Sequence, residues 1–168
     1  IQRVTGEDAT TILRKAYAQG IRFFDSARWY SDSEEKLGNA LSDVRKDIYI
    51  ATKTGSTTVE DFWKDLETSL NNLKIDGIKI HMLHILKDTP LEKLYKKEKF
   101  HVLTRKEYVD IVCDQLEYLN EDIVINRITG DPHEEDLIEP FWLQKKFCVL
   151  NEIDKELVKR NTYQGKKC

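Results

Sequence analysis

The sequence predicts an α/β fold built from β/α units, and three observations carry that reading. Helical and strand periods alternate along most of the chain, about four short apolar strand segments can be counted, and charged or polar residues stand directly behind them. A complete (β/α)8 barrel takes eight strands and roughly 250 residues. This chain has 168. It therefore reads as part of a barrel, as an open sheet, or as a fragment that pairs its exposed edges with a second chain.

The elements follow in order. Residues 8–19 place Ile12, Leu13, Ala16 and Tyr17 on one helical face, with Gly20 as a left-handed terminator. Ile21 to Phe24 reads as a short buried strand that delivers Asp25, and Ser26 to Tyr30 as a loop. Ser31-Asp32-Ser33-Glu34 then reads as a capping box for a helix through Leu41. Ile48 to Thr52 is the second strand, with Lys53 at its exit. Thr57 and Glu60 are expected to cap a helix that turns Phe62, Trp63, Leu66, Leu70 and Leu73 inward.

The third strand is expected from about Gly77 to Leu83, delivering His84. Asp88-Thr89-Pro90 marks a turn, 91–97 a short helix, and Thr104 with Glu107 the box of a longer helix bearing Tyr108, Val109, Val112, Leu116 and Leu119. Ile123 to Ile128 is the last strand, broken by Gly130-Asp131-Pro132. A terminal helix from about Leu143 to Lys159 is expected to bury Phe147, Leu150, Ile153 and Leu157.

Composition narrows the function classes. The 27 Lys and Arg are interleaved with 30 Asp and Glu, so nothing global favours nucleic acid as a partner. The run Lys93, Lys96, Lys97 and Lys99 is diluted by Glu92 and Glu98 and reads as a solvated helix face. Apolar residues at 40% suffice for a core, yet no apolar run approaches the roughly 20 residues of a membrane span. No membrane association is expected. The front of the chain lacks both an initiator methionine and a basic segment leading into an apolar one. It reads as cut at the front and without a signal peptide. Cys113, Cys148 and Cys168 are odd in number and widely spaced. They argue against a disulfide framework or a paired-cysteine metal site, and for a reducing, cytoplasmic setting.

In parallel α/β folds, functional groups collect at the carboxyl ends of the strands. Asp25, Lys53 and His84 each follow a predicted strand, and Tyr30 lies in the loop after the first. A neighbouring ammonium favours the phenolate form of a tyrosine. In this set Lys53 supplies that ammonium, Asp25 orients it, and His84 donates a hydrogen bond to a carbonyl oxygen beside Tyr30. The chemistry so predicted is reduction of a small carbonyl compound. A strand-end ion pair beside a loop aromatic is the structural counterpart of that reading. His81 and His84, three apart, are expected on opposite strand faces and are assigned no metal. Arg127, with Asp131 beyond Thr129-Gly130, is the one cation nominated for an anionic ligand, against a structural Arg–Asp clamp. Trp29 beside Tyr30 is a candidate pocket wall, and Trp63 and Trp142 read as packing residues.

Three segments, Gly20 to Tyr30, Ser33 to Leu41 and Ile50 to Thr54, resemble the N-terminal part of a bacterial aldo-keto reductase. The resemblance runs over residues 1–74 and more loosely to His84. It implies an NADPH-dependent oxidoreductase with Asp25, Tyr30, Lys53 and His84 as its catalytic tetrad and Tyr30 as proton donor. From residue 75 onward the chain is instead similar to the C-terminal part of an uncharacterised bacterial radical SAM family. Leu83 to Leu91, Glu107 to Asp110, Arg127 to Asp131 and Tyr163 to Lys166 carry that likeness.

Together the two resemblances imply a 1–74 aldo-keto reductase-like region and a 75–168 radical SAM C-terminal-like region, joined between Leu73 and His81. The implied fold is a partial (β/α) barrel, about half a TIM barrel, with a helical C-terminal extension. Radical SAM chemistry needs three closely spaced cysteines for its cluster, and the three here lack that spacing, so no Fe-S cluster is expected. Aldo-keto reductases take most of their NADPH phosphate and adenine contacts from the late barrel strands, which the second region replaces. Arg127 is the candidate there. The alternative function is a non-enzymatic fragment or fusion carrying the extension as a binding module, and exposed barrel edges predict self-association.

Overall fold

In the computed structural model, which describes residues 1–168, the first helix is α1 (Gly6–Ala18). It begins where the Thr5 hydroxyl accepts the Asp8 amide and ends at Gly20, whose φ of +95° only glycine adopts without penalty. The chain then forms β1 (Phe23–Asp25), α2 (Ser33–Leu41), a 3-10 turn, β2 (Tyr49–Thr54), α3 (Val59–Leu73) and β3 (Gly77–Ile80). β4 (Ile85–Leu86), α4 (Pro90–Lys97) and α5 (Arg105–Glu117) precede β5 (Val124–Arg127), which returns to the first sheet. That sheet has the order β1-β2-β3-β5, with β1 and β2 parallel and Phe24 level with Ile50. The α/β class holds, with four strands where a TIM barrel has eight.

The chain divides into two units, Ile1–Lys79 with Glu121–Asn126, and Ile80–Asn120 with Arg127–Cys168. In the first, Ile50, Leu41, Phe62, Leu66, Leu73 and Ile78 are all but inaccessible and form the core between sheet and helices. Asp76 joins three strands. Its amide donates to the Ile50 carbonyl at 2.9 Å, its carboxylate accepts the Ile50 amide at 2.7 Å, and its carbonyl accepts the Val124 amide at 2.9 Å. Arg45 holds that carboxylate at 2.6 Å and donates to the Leu73 and Ile48 carbonyls at 2.6 and 2.8 Å.

The second unit pairs β4 antiparallel with β6 (Leu137–Glu139). Thr89 caps α4, and Thr104 and Glu107 form the expected capping box on α5. All five apolar residues expected inward on and after α5 are buried. A 3-10 turn (Phe141–Lys145) leads into α6 (Lys146–Lys159), and Arg160 reaches back to Asp110 and Asp114 of α5 at 2.9 and 2.6 Å. Trp142 stacks on Tyr108 and donates its indole N–H to the Leu103 carbonyl at 2.8 Å. The tail closes the end of α5. The Gly165 and Lys167 amides donate to the Leu116 and Glu117 carbonyls, and the Lys167 ammonium pairs with the Glu117 carboxylate.

Several local expectations are corrected. Ser31 and Glu34 form no capping box, because the Glu34 carboxylate is buried and bound elsewhere and Ser31 sits at φ 47°. Thr58, not Thr57, caps α3, which turns Ser69 inward and leaves Trp63 exposed. β3 stops at Ile80 instead of reaching Leu83. On α6, Val149 and Ile153 are buried, while Phe147 stands 72% exposed. At about 100° per residue, Phe147 falls on the side of α6 opposite Val149 and Ile153, outside the packed face. No helix is long and apolar enough to cross a membrane.

Candidate active site

Strand register assembles the site in the first unit. Asp25 lies level with Ala51 in the β1–β2 ladder, so Lys53, two residues further on, projects from the same face. The Lys53 ammonium donates to the Asp25 carboxylate and, at 2.7 Å, to the Ser26 carbonyl. It also lies 4.9 Å from the centre of the Tyr30 ring. At that distance an ammonium is attracted electrostatically by the ring face. Three of the four residues expected to act together are thus brought together.

A second ammonium joins them. Lys79 of β3 donates to the other oxygen of Asp25, so one carboxylate is shared by two lysines. The three side chains are 23–28% exposed, partly withdrawn from solvent and still reachable. Sequence reading had missed Lys79. Its signal was register, since Lys79 alternates with Ile78 and Ile80, which are buried on the other face of β3.

The loop that carries Tyr30 is held by a polar network. Arg28 donates to Glu34 at 2.9 Å, and Glu34, 1% exposed, also accepts from Thr52 at 2.5 Å and from Ser69 at 2.8 Å. Asp65 lies 3.5 Å from the Arg28 guanidinium and accepts from Thr54 and Ser56, each at 2.7 Å. The backbone adds bonds from the Arg28 amide to Lys53 and from the Ser26 amide to Ala51. Trp29 is 71% exposed, with its ring against Gly55, where a methyl group would come within 2.4 Å of it.

His84 lies differently from the expectation. β3 ends four residues before it, so it is delivered by an irregular segment that belongs to the second unit. Within that unit its ring is 5.2 Å from that of His81, and the two Nδ1 atoms lie 3.4 and 2.9 Å from the same Met82 carbonyl. The expected opposition of the two histidines fails because 81–84 is not a strand. Gly130 packs against His84 closely enough that an added methyl would sit 3.3 Å from its Nδ1. Arg127 is exposed at the end of β5, and Asp131 pairs with Lys146 at 2.9 Å. That bond, more than Arg127, holds the Asp131 carboxyl below the usual carboxylate range.

Residues 75–159, just over half of the chain, match the Radical_SAM C-terminal domain. The chain belongs to the Radical_SAM C-terminal domain family. The Radical_SAM C-terminal domain therefore contains Lys79, His84 and Arg127, while Asp25, Tyr30 and Lys53 precede it. The uncharacterized protein YtqA of Bacillus subtilis (strain 168) is 44% identical over 106 residues, covering 63% of this chain and 33% of YtqA. The aldo-keto reductase str7 of Strobilurus tenacellus is 40% identical over 90 residues, covering 48% of this chain and 27% of str7. The chain thus spans no more than about a third of either relative. Among solved structures, archaeal Methanocaldococcus infernus Elp3 with an N-terminal deletion superposes with a TM-score of 0.54 at 12% identity. It covers 84% of this chain and 42% of that one, a likeness of fold alone. Sequence similarity thus reaches both an aldo-keto reductase and the Radical_SAM C-terminal domain.

Proposed function

We propose that the chain carries the proton-donating half of an NADPH-dependent carbonyl reductase of the aldo-keto reductase type. The supporting observation is the Lys53 ammonium, bound to Asp25 and to the Ser26 carbonyl and held 4.9 Å from the Tyr30 ring. Tyr30 donates its hydroxyl proton to the carbonyl oxygen as the carbonyl carbon gains a hydride. Lys53 stabilises the phenolate left behind, and Asp25 keeps Lys53 charged and directed. Such a donor set suits a nicotinamide reductant, and NADPH, when bound, supplies the hydride. The family resemblance adds His84 as the residue assigned to orient the carbonyl, whereas Arg127 is nominated for the cofactor phosphate from its place at the end of β5.

The test is an NADPH titration of the full chain followed by tryptophan fluorescence, beside Lys53→Met and Tyr30→Phe. Saturable quenching that weakens in Lys53→Met, with aldehyde turnover abolished in Tyr30→Phe, is the expected result. No saturation up to about millimolar, where binding is worth only some 4 kcal/mol, overturns it. A second reading rests on the match over residues 75–159: the chain is a non-enzymatic fragment or fusion that carries the Radical_SAM C-terminal domain as a binding module.

A further inference from the structure

The first sheet is parallel and ends at β1 on one side and at β5 on the other. One of its faces is packed, with Phe24, Ile50 and Ile78 buried. The other face carries the cluster of Asp25, Lys53 and Lys79. Phe23, two residues before Asp25, and Tyr49, level with Phe23, lie on that face as well. A methyl group on Gly77 would meet the Asn126 side chain, which puts Asn126 and Val124 of β5 there too. Phe23, Tyr49 and Val124 are 52%, 65% and 59% exposed. Parallel sheets are ordinarily covered on both faces, so this open apolar row is a contact surface without its partner.

The two sheet edges match in phase. On β1 the Arg22 carbonyl and the Ser26 amide bond to β2, so the backbone groups of Phe23 and Asp25 point away from the sheet. On β5 the Val124 amide bonds to Asp76, so Val124 and Asn126 turn toward β3 and Ile125 points away. The outward bonding groups thus belong to open-face residues on β1 and to a residue of the opposite face on β5. Opposed residues of paired strands share a face. In an antiparallel pair both of them bond across or neither does, whereas in a parallel pair one does and the other does not. The β1 and β5 edges therefore fit one another only in parallel, as neighbours in a barrel do.

We propose that the chain closes with a second copy, β1 of each against β5 of the other, into one eight-stranded barrel with the open faces inside. A two-fold axis along the barrel forms both seams at once, and four strands from each copy give the eight of a closed barrel. Ile21, Phe23, Tyr49 and Val124, with the polar side chains between them, leave roughly 600 Å² open per copy, so closure hides about 1,200 Å², the lower bound of a standard stable interface. It also pairs strand edges that otherwise stay open. None of this depends on the reductase reading.

Sedimentation velocity of the full chain tests the assembly, and amide hydrogen exchange tests the seams without any variant. The expected species is a dimer formed below about 100 µM. On dilution through the transition, the Phe23, Asp25 and Ile125 amides should all exchange about tenfold faster or more. Tyr49→Glu and Val124→Glu change side chains that are exposed in the single copy, so circular dichroism should be unaltered. Each should weaken dimerisation about tenfold or more by placing a carboxylate inside the barrel. A chain that stays monomeric at that concentration, or forms a larger assembly, overturns the proposal. A dimer that protects Phe23 and Asp25 but not Ile125 also overturns it, since two β1 edges then pair and leave the open faces bare. A folded Tyr49→Glu or Val124→Glu chain that dimerises as tightly as the parent does the same.

Discussion

Lys79 and Asp25, 54 residues apart in sequence, meet in an ion pair that reaches over β2 from β3 to β1. Lys79 lies inside the segment that matches the Radical_SAM C-terminal domain, and Asp25 lies before it. The pair ties the two sequence regions together through a single carboxylate. Removing that carboxylate leaves two ammonium groups with no shared counter-charge. Asp25→Asn is expected to cost about 1–2 kcal/mol, the low end for a charged hydrogen-bond partner because the cluster is partly solvated. Asp25→Asn combined with Lys79→Met should recover part of the loss. Urea denaturation of the two variants beside the parent measures both effects, and a double variant no better than the single one counts against the shared pair.

Glu34 is the deepest charge in the first unit and holds Arg28 beside the loop of Tyr30. Glu34→Ala removes the shared acceptor of Arg28, Thr52 and Ser69 and leaves the Arg28 guanidinium only Asp65 at 3.5 Å, an expected loss of about 3 kcal/mol. Hydrogen exchange at the Tyr30 amide, which donates to Ala27 at 3.0 Å, should accelerate with it. An unchanged exchange rate would separate the network from the loop.

The Lys167 ammonium, bonded to Glu117, holds that carboxyl below its ordinary 4.5 despite the opposing effect of burial. With the folded pKa depressed, the unfolded chain binds the proton more readily. The contribution is therefore full above about pH 4.5 and is lost as pH falls through the folded pKa. Glu117→Gln should flatten the acid limb of the stability curve, and Lys167→Met should shift it in the same direction. Thermal melts across pH 2–7 read both.

Burial raises the Cys113 thiol to about 11 from its ordinary 9.0. At pH 8 iodoacetamide should label the exposed Cys148 and Cys168 in the folded chain and reach Cys113 only in urea. Between pH 9 and 11 the unfolded chain ionises this thiol and the folded chain does not, so stability should fall across that window. Cys113→Val should remove that part of the alkaline loss.

Local chemistry accounts for the elements that were legible without a structure. Gly20 ends α1, Thr104 and Glu107 form a reciprocal box, and the apolar period of Tyr108, Val109, Val112 and Leu116 defines the buried face of α5. Each depends on residues within a turn or two of one another. Where local pattern failed, a distant partner had taken the residue. Glu34 leaves its cap for Arg28, Thr52 and Ser69, since a buried carboxylate gains more from three donors than from one exposed amide.

The site divides along the same line. The sequence by itself determined the chemical types at the strand ends, because Asp25 and Lys53 follow β-period segments and Tyr30 follows the first of them. Only the tertiary structure decided that Lys79 shares Asp25, that Lys53 faces the Tyr30 ring, and that His84 sits with His81 past the end of β3. Strand pairing and strand length set these relations. Both are fixed by hydrogen bonds and packing between residues tens of positions apart, and a one-residue change of register would turn every side chain of a strand to its other face.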